Sequence, residues 1–311
     1  MRHRLQILVP VLLFLSFLAA PGTVFDGASE GLLLWFRSVL PALFPFLVAA
    51  NLLMEGGALS EMASVPGAIF RPLFGVSDAG SFAVLSGFFC GYPVGAFVAA
   101  ELTLSGKVTR EEGEYLLSFC NNTSPGFIVS YIFLRGLQRP DLLVPGMAAL
   151  FLSPVLCSFL FRRKYGSFRQ AAGKKRSPEK AKKEPLSVLL DQSILKSCEA
   201  VTKIGGYIVL FGILAALLDA LPVSGFFWDY LLLPALEITG GVNMLSTAPL
   251  PFAVRFVLVL ALTSFGGLCA LFQTQCMVKE AGFSMRAYAK EKLVTAMVTS
   301  LCALLMLYLL T

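Results

Sequence analysis

The sequence predicts an all-α polytopic membrane protein, and three observations lead there. Of 311 residues, 57% are hydrophobic and 14% charged, against about 45–50% and 25% in an ordinary soluble domain. Mean hydropathy is +0.77. Apolar runs of membrane-crossing length, about 20 residues, recur along the chain and are parted by short charged stretches. This composition excludes a soluble enzyme and a nucleic-acid binder, and it makes the lipid bilayer the first expected partner.

The elements follow in order. A basic start, Met1–Arg4, precedes an apolar run from Leu5 to Phe25. It reads as an N-terminal span or signal anchor within 1–30, with FLAAPG as a cleavage site in the alternative reading. A second span covers Gly31 to Met54 and carries Arg37, Pro41 and Pro45. Residues 55–76 are amphipathic and broken by Gly and Pro, and are expected at the interface. Ala79 to Leu104 is long enough to cross, but CGYPVG at its centre breaks a helix. A re-entrant hairpin of two half-helices is preferred there over one kinked span. Tyr115 to Leu134 is a span broken by NNTSPG (121–126), and Leu142 to Phe161 is the next. Beyond the basic linker come a span from Leu186 to Leu221 and interfacial pieces over 222–250. Phe252 to Val278 is broken by SFGGLC, the expected second hairpin. A charged stretch (279–292) and a last span to Leu310 end the chain.

The net charge of +6 is local. Residues 162–184 hold ten basic and two acidic side chains, which leaves 15 basic and 17 acidic for the rest. Such a loop is a topology signal, so the N-terminus and the 162–185 linker are expected in the cytoplasm of a multi-pass cell-membrane protein. The parity of spans then closes only if 79–104 returns to its own side. It also places 279–292 outside, against its four basic residues.

Seven cysteines form no CxxC pair, and the single histidine is His3. No Ser–His triad is available, and no Walker or GxSxG motif occurs. No catalytic residue, metal site or cofactor is expected, and an enzyme reading has no support.

The halves on either side of the linker share an order of span, interfacial piece, Gly-broken segment, charged stretch and span. At offset 176, Gly91 falls on Gly267, Gly106 on Gly282, Arg110 on Arg286 and Leu117 on Leu293. Hairpins entering from opposite sides make the fold two inverted repeats with re-entrant hairpins and broken helices, as in secondary transporters. Unwound backbone is tolerated in a bilayer only where protein buries it or a wet cavity borders it. The candidate binding residues are therefore Gly91, Tyr92, Pro93 and Gly95; Asn121, Asn122, Thr123 and Ser124; Gly266 and Gly267; and Gln273 and Thr274. Half-helix N-termini attract anions, freed carbonyls suit a cation, and a coupling ion, H+ or Na+, is expected. The expected ligand is a small organic anion. The alternatives are a nucleoside or nucleobase, with Tyr92 stacking on the base, and a non-transporting scaffold or gate subunit that docks through the basic linker. A homo-oligomer is expected.

Four stretches carry a resemblance: WFRSVLPALFPFLVAANLL (35–53), GFFCGYPVGA (87–96), LLSFCNNTSPGFI (116–128) and KIGGYIVLFGIL (203–214). Together they resemble the YlbJ-like sporulation integral membrane proteins. These belong to a nucleoside-recognition or gate group related to concentrative nucleoside transporters and to ferrous-iron transporter gates. The resemblance implies gate-type repeats at 31–161 and 186–311, around the 162–185 linker. It implies hairpin tips at Gly91–Gly95 and at Gly266 and Gly267, with the helix break at Asn121, Asn122, Ser124 and Pro125. It also implies a link to the movement of dipicolinic acid during sporulation.

Overall fold

The structure is a computed structural model and describes residues 2–56, 59–166, 168 and 185–310; most of the basic linker lies outside the described residues. All regular structure among the described residues is helical. Among the described residues, five helical stretches are long and apolar enough to cross a membrane: Pro21–Glu55, Pro140–Tyr165, Leu186–Asp219, Phe252–Val278 and Met285–Leu310.

Helix α1 (Arg2–Ala19) is followed at once by α2 (Pro21–Leu34). Pro21 starts α2 well, because the amide it lacks would be unpaired there anyway. Asp26 and Glu30, which fall between the two predicted spans, lie within α2. A π turn (Trp35–Val39) joins α2 to α3 (Leu40–Glu55). Against this pair runs α10 (Leu186–Asp219), antiparallel to it. Gly27 meets Gly212, Gly31 meets Val209, and Asn51 Nδ2 donates to Ser197 Oγ at 3.1 Å. Small residues let these backbones approach closely, as membrane helices require.

Helix α4 (Leu59–Phe74) meets α5 (Asp78–Phe89) at 95°. The bend follows from Gly75, at φ 73°, and from Ser77, whose Oγ caps α5 by accepting from Gly80 N. After the turn Cys90–Pro93 comes α6 (Val94–Leu104). A Cβ built on Gly95 would lie 2.9 Å from Gly87 Cα. Residues eight apart are that close only when the chain has reversed, so 78–104 is a hairpin and not a kinked span.

Thr109 caps α7 (Arg110–Cys120), and Glu111 and Glu112 in its first turn complement the positive helix end. The helix breaks at 121–124 and resumes as α8 (Pro125–Phe127), extended by a wide π segment (Ile128–Gly136). Ser124 caps it, its Oγ accepting from Phe127 N at 3.3 Å. A 3-10 turn (Pro140–Leu142) leads into α9 (Leu143–Tyr165).

The second half departs from expectation. Helices α12 (Phe252–Phe265) and α13 (Gly267–Val278) continue as one apolar stretch. Gly266 and Gly267, at φ 90° and 81°, therefore interrupt a crossing helix and form no hairpin tip. The reason is local: the turn at 90–93 spans four residues and includes a proline, whereas two left-handed glycines let the helix resume. The segment that reverses is 226–247, expected at the interface. It holds a π turn (Trp228–Leu232) and α11 (Ile238–Thr247). Its middle reaches the Gly266–Gly267 break, where Leu268 N donates to Ala235 O at 2.7 Å and Cys269 N to Leu236 O at 2.9 Å. Its end returns toward the far end of the π segment, where a Cβ on Gly136 would lie 3.0 Å from Ser246 Oγ.

The last helix, α14 (Met285–Leu310), packs on α9 and α12. Charged side chains gather at one end of the bundle. Lys196 pairs with Glu55, Lys107 Nζ donates to Met54 O, Arg110 donates to Gly282 O, and Lys164 pairs with Glu291 at 2.8 Å. The stretch 279–292 thus shares an end with the start of the basic linker, and is not opposite it as the parity argument required. A single crossing over 252–278, where a hairpin was expected, accounts for the change.

Candidate functional site

The hairpin tip and the two helix breaks converge. Tyr92 OH donates to Ser264 O at 2.8 Å, and a Cβ on Gly266 would lie 2.9 Å from Tyr92 Cζ. Thr123 Oγ1 donates to Thr263 O at 2.9 Å. Gly91, at φ 88°, faces Ser124, which a Cβ there would approach to 3.0 Å. The tip therefore sits against both broken helices, and glycine is required where it touches each.

Asn121 organises the junction. It is fully buried. Its Oδ1 accepts from Ala96 N at 3.3 Å, at the start of α6. Its Nδ2 donates to Thr274 Oγ1 at 2.9 Å and to Tyr288 OH at 2.8 Å. Its backbone oxygen accepts from Lys292 Nζ at 3.1 Å. Thr299 Oγ1, also on α14, donates to Ser264 Oγ at 2.8 Å. One amide thus ties α6, α13 and α14 to the end of α7, so the four polar residues at 121–124 divide their work.

Beside this junction lies a cavity of about 310 Å³. Its walls come from α2, the π turn, α3, the tip at Cys90–Tyr92, residues 123–131, Ile208 of α10, residues 237–239, and α13. Of the predicted residues, Gly91, Tyr92, Thr123, Ser124 and Gln273 border it. Pro93, Gly95, Asn121, Asn122, Gly266, Gly267 and Thr274 are not on its wall. Gly95 is packed between Gly87 and the Cys120 carbonyl. Asn122 turns back to donate to Phe119 O at 2.7 Å.

Sequence reasoning missed several wall residues: Ser38, Ser130, Tyr131, Thr239 and, above all, Glu237. Glu237 caps α11, its Oε2 accepting from Gly240 N at 2.8 Å. Among the described residues, no Lys or Arg joins it on the wall. Its signal was a lone acid between Asp229 and Lys279. Phe127 and Tyr131 add a stacked aromatic pair, with centroids 4.9 Å apart and planes at 18°. Lys292 was missed as well, taken for part of a water-facing stretch. Its signal was the spacing of Tyr288, Lys292, Thr295 and Thr299 along one face of the last helix, all of them buried.

The amides expected to be free for an anion are partly taken. At α13, Leu268 and Cys269 donate to carbonyls of the 226–247 hairpin. At α6, Ala96 donates to Asn121 and Phe97 to Pro93 O. At α8, Gly126 borders the cavity, and the positive end of that helix faces it.

Over 331 aligned residues the chain is 23% identical to the sporulation integral membrane protein YlbJ of Bacillus subtilis (strain 168), covering 94% of this chain and 81% of that protein. The YlbJ-like resemblance carried by the four motifs is therefore supported along nearly the whole length. No protein-family model matches the chain. No solved structure matches it. The wider tie to nucleoside-recognition proteins rests on the motifs alone.

Proposed function

We propose that the chain is a membrane carrier, not an enzyme, for a small flat organic solute, and that it acts in sporulation. The observation that carries this reading is the 310 Å³ cavity where a hairpin tip and a broken helix meet. Irregular backbone at membrane depth belongs at such a cavity. The likeness to YlbJ supports the sporulation role.

The element order supports an inverted repeat in a different register from offset 176. Hairpin 78–104 pairs with 226–247, the break at 121–124 with 264–267, and α9 with α14. The last two pairs share an offset close to 143. The two hairpins reach the breaks from opposite ends of the bundle, as inverted repeats require. With the charged end in the cytoplasm, both basic stretches lie inside and 220–251 lies outside; a crossing by α1 then brings the basic N-terminus inside as well.

The aromatic pair and Tyr92 favour a flat ligand. Glu237 disfavours a bare dianion, since no cationic side chain among the described wall residues neutralises it. An organic anion such as dipicolinate is therefore expected to bind together with a cation. A nucleoside is the second reading, favoured by that same carboxylate and by Gln273 as partners for a neutral base edge. Thermal shift of the purified chain against dipicolinate, with and without calcium, and against nucleosides separates the two. A bound ligand raises the midpoint. Replacing Glu237 with Gln should tighten bare dipicolinate on the first reading and weaken nucleosides on the second. No shift with any ligand, together with no flux in vesicles, would leave the scaffold reading standing in place of both.

A further inference from the structure

Lys292 lies one-third of the way along α14, with 1% of its surface exposed. Its Nζ donates to the Asn121 carbonyl oxygen at 3.1 Å and stands 4.9 Å from the centre of the Tyr92 ring. Among the described residues no carboxylate comes within ion-pair distance of it. The adjacent Glu291 is paired with Lys164 at 2.8 Å. The other titratable groups around it are Tyr92 of the tip, Tyr288 of its own helix and Cys157 of α9.

The place matters. Asn121 caps the C-terminal end of α7, where carbonyls are freed and the helix carries partial negative charge. The face of an aromatic ring is also negative. A carbonyl, a helix C-terminus and a ring face together form a cation site, and discontinuous helices in carriers commonly bind their coupling ion at such freed carbonyls. Here a side chain of the protein fills it. We infer that the Lys292 ammonium is a tethered replacement for a coupling cation, holding the hairpin tip against the broken helix without bound sodium. The inference deepens the carrier reading. Its test reads stability, so it stands or falls apart from transport and from ligand identity.

The test is the thermal midpoint of the detergent-purified full chain in sodium chloride and in choline chloride at equal ionic strength. A sodium ion bound at ten times its Kd would raise the midpoint by roughly 2 °C or more. The wild type is expected to show no such rise. Lys292→Ala should lower the midpoint, and propylammonium, which restores a cation on a short stem, should recover part of the loss while choline should not. Lys292→Met fills the space without charge and should remain destabilised in every salt. A sodium-dependent rise in the wild type would overturn the inference, and so would a Lys292→Met variant as stable as the wild type. If Lys292→Ala does not fold, these last two measurements still decide it.

Discussion

At the residue scale, Asn121 is the most exacting position. Mid-membrane polar residues invite a ligand role, but this amide spends its hydrogen bonds on Ala96, Thr274 and Tyr288. Leaving a buried partner unpaired costs about 1–3 kcal/mol. Asn121→Ala is therefore expected to lower the thermal midpoint by several degrees even without ligand. Asn122→Ala loses one local bond to Phe119 O and should cost about 1 kcal/mol or less. Equal midpoints for the two variants would contradict this division. A different outcome is expected at the cavity wall, where Ser130→Ala removes a hydroxyl that donates within its own helix, to Gly126 O. That change should weaken ligand affinity and leave the midpoint in place.

At the element scale, the α5–α6 hairpin depends on how closely it approaches α7. A Cβ on Gly87 would lie 1.8 Å from Cys120 O, and one on Gly95 would lie 2.7 Å from the same atom. Neither backbone can yield without moving the tip. Gly87→Ala is expected to cost at least the 1–3 kcal/mol typical of overpacking, and to uncouple the tip from the break. Gly206, within α10, has nothing within 4 Å of its Cβ position. Gly206→Ala should be neutral, or stabilising by up to about 1 kcal/mol, through helix propensity alone. Thermal midpoints of the pair check both, and a tolerated Gly87→Ala would dissolve the argument for close approach.

At the scale of the whole molecule, the arrangement turns on which end of the bundle holds 279–292. The Lys164–Glu291 pair and the Arg110–Gly282 contact place it with the start of the basic linker. In a background without the seven native cysteines, Gly282→Cys and Ser177→Cys should react with an impermeant thiol reagent from the same side. Ser224→Cys should react from the other. If Gly282→Cys instead reacted together with Ser224→Cys, the single crossing of α12 and α13 would be wrong and the hairpin at SFGGLC would return.

Much was legible in the sequence because the bilayer constrains it so tightly. Apolar runs of crossing length, the basic linker, and the breaks at CGYPVG, NNTSPG and SFGGLC follow from hydropathy, charge and backbone chemistry. Each is a local property of the chain. The tip at Gly91–Pro93 was readable as a reversal because its glycine and proline make continuation costly. Whether Gly266 and Gly267 reverse the chain or only interrupt it is not local. It depends on Ala235 and Leu236, some 30 residues earlier, which supply carbonyls to the amides that the break frees. The same holds for the site. Asn121, Thr123 and Ser124 look alike in a row of polar residues, and only their neighbours in space make the first a tie and the others a wall. Glu237 and Lys292 were hidden for the same reason. A charge in a sequence reads as solvated until the fold shows which helix end or aromatic face receives it.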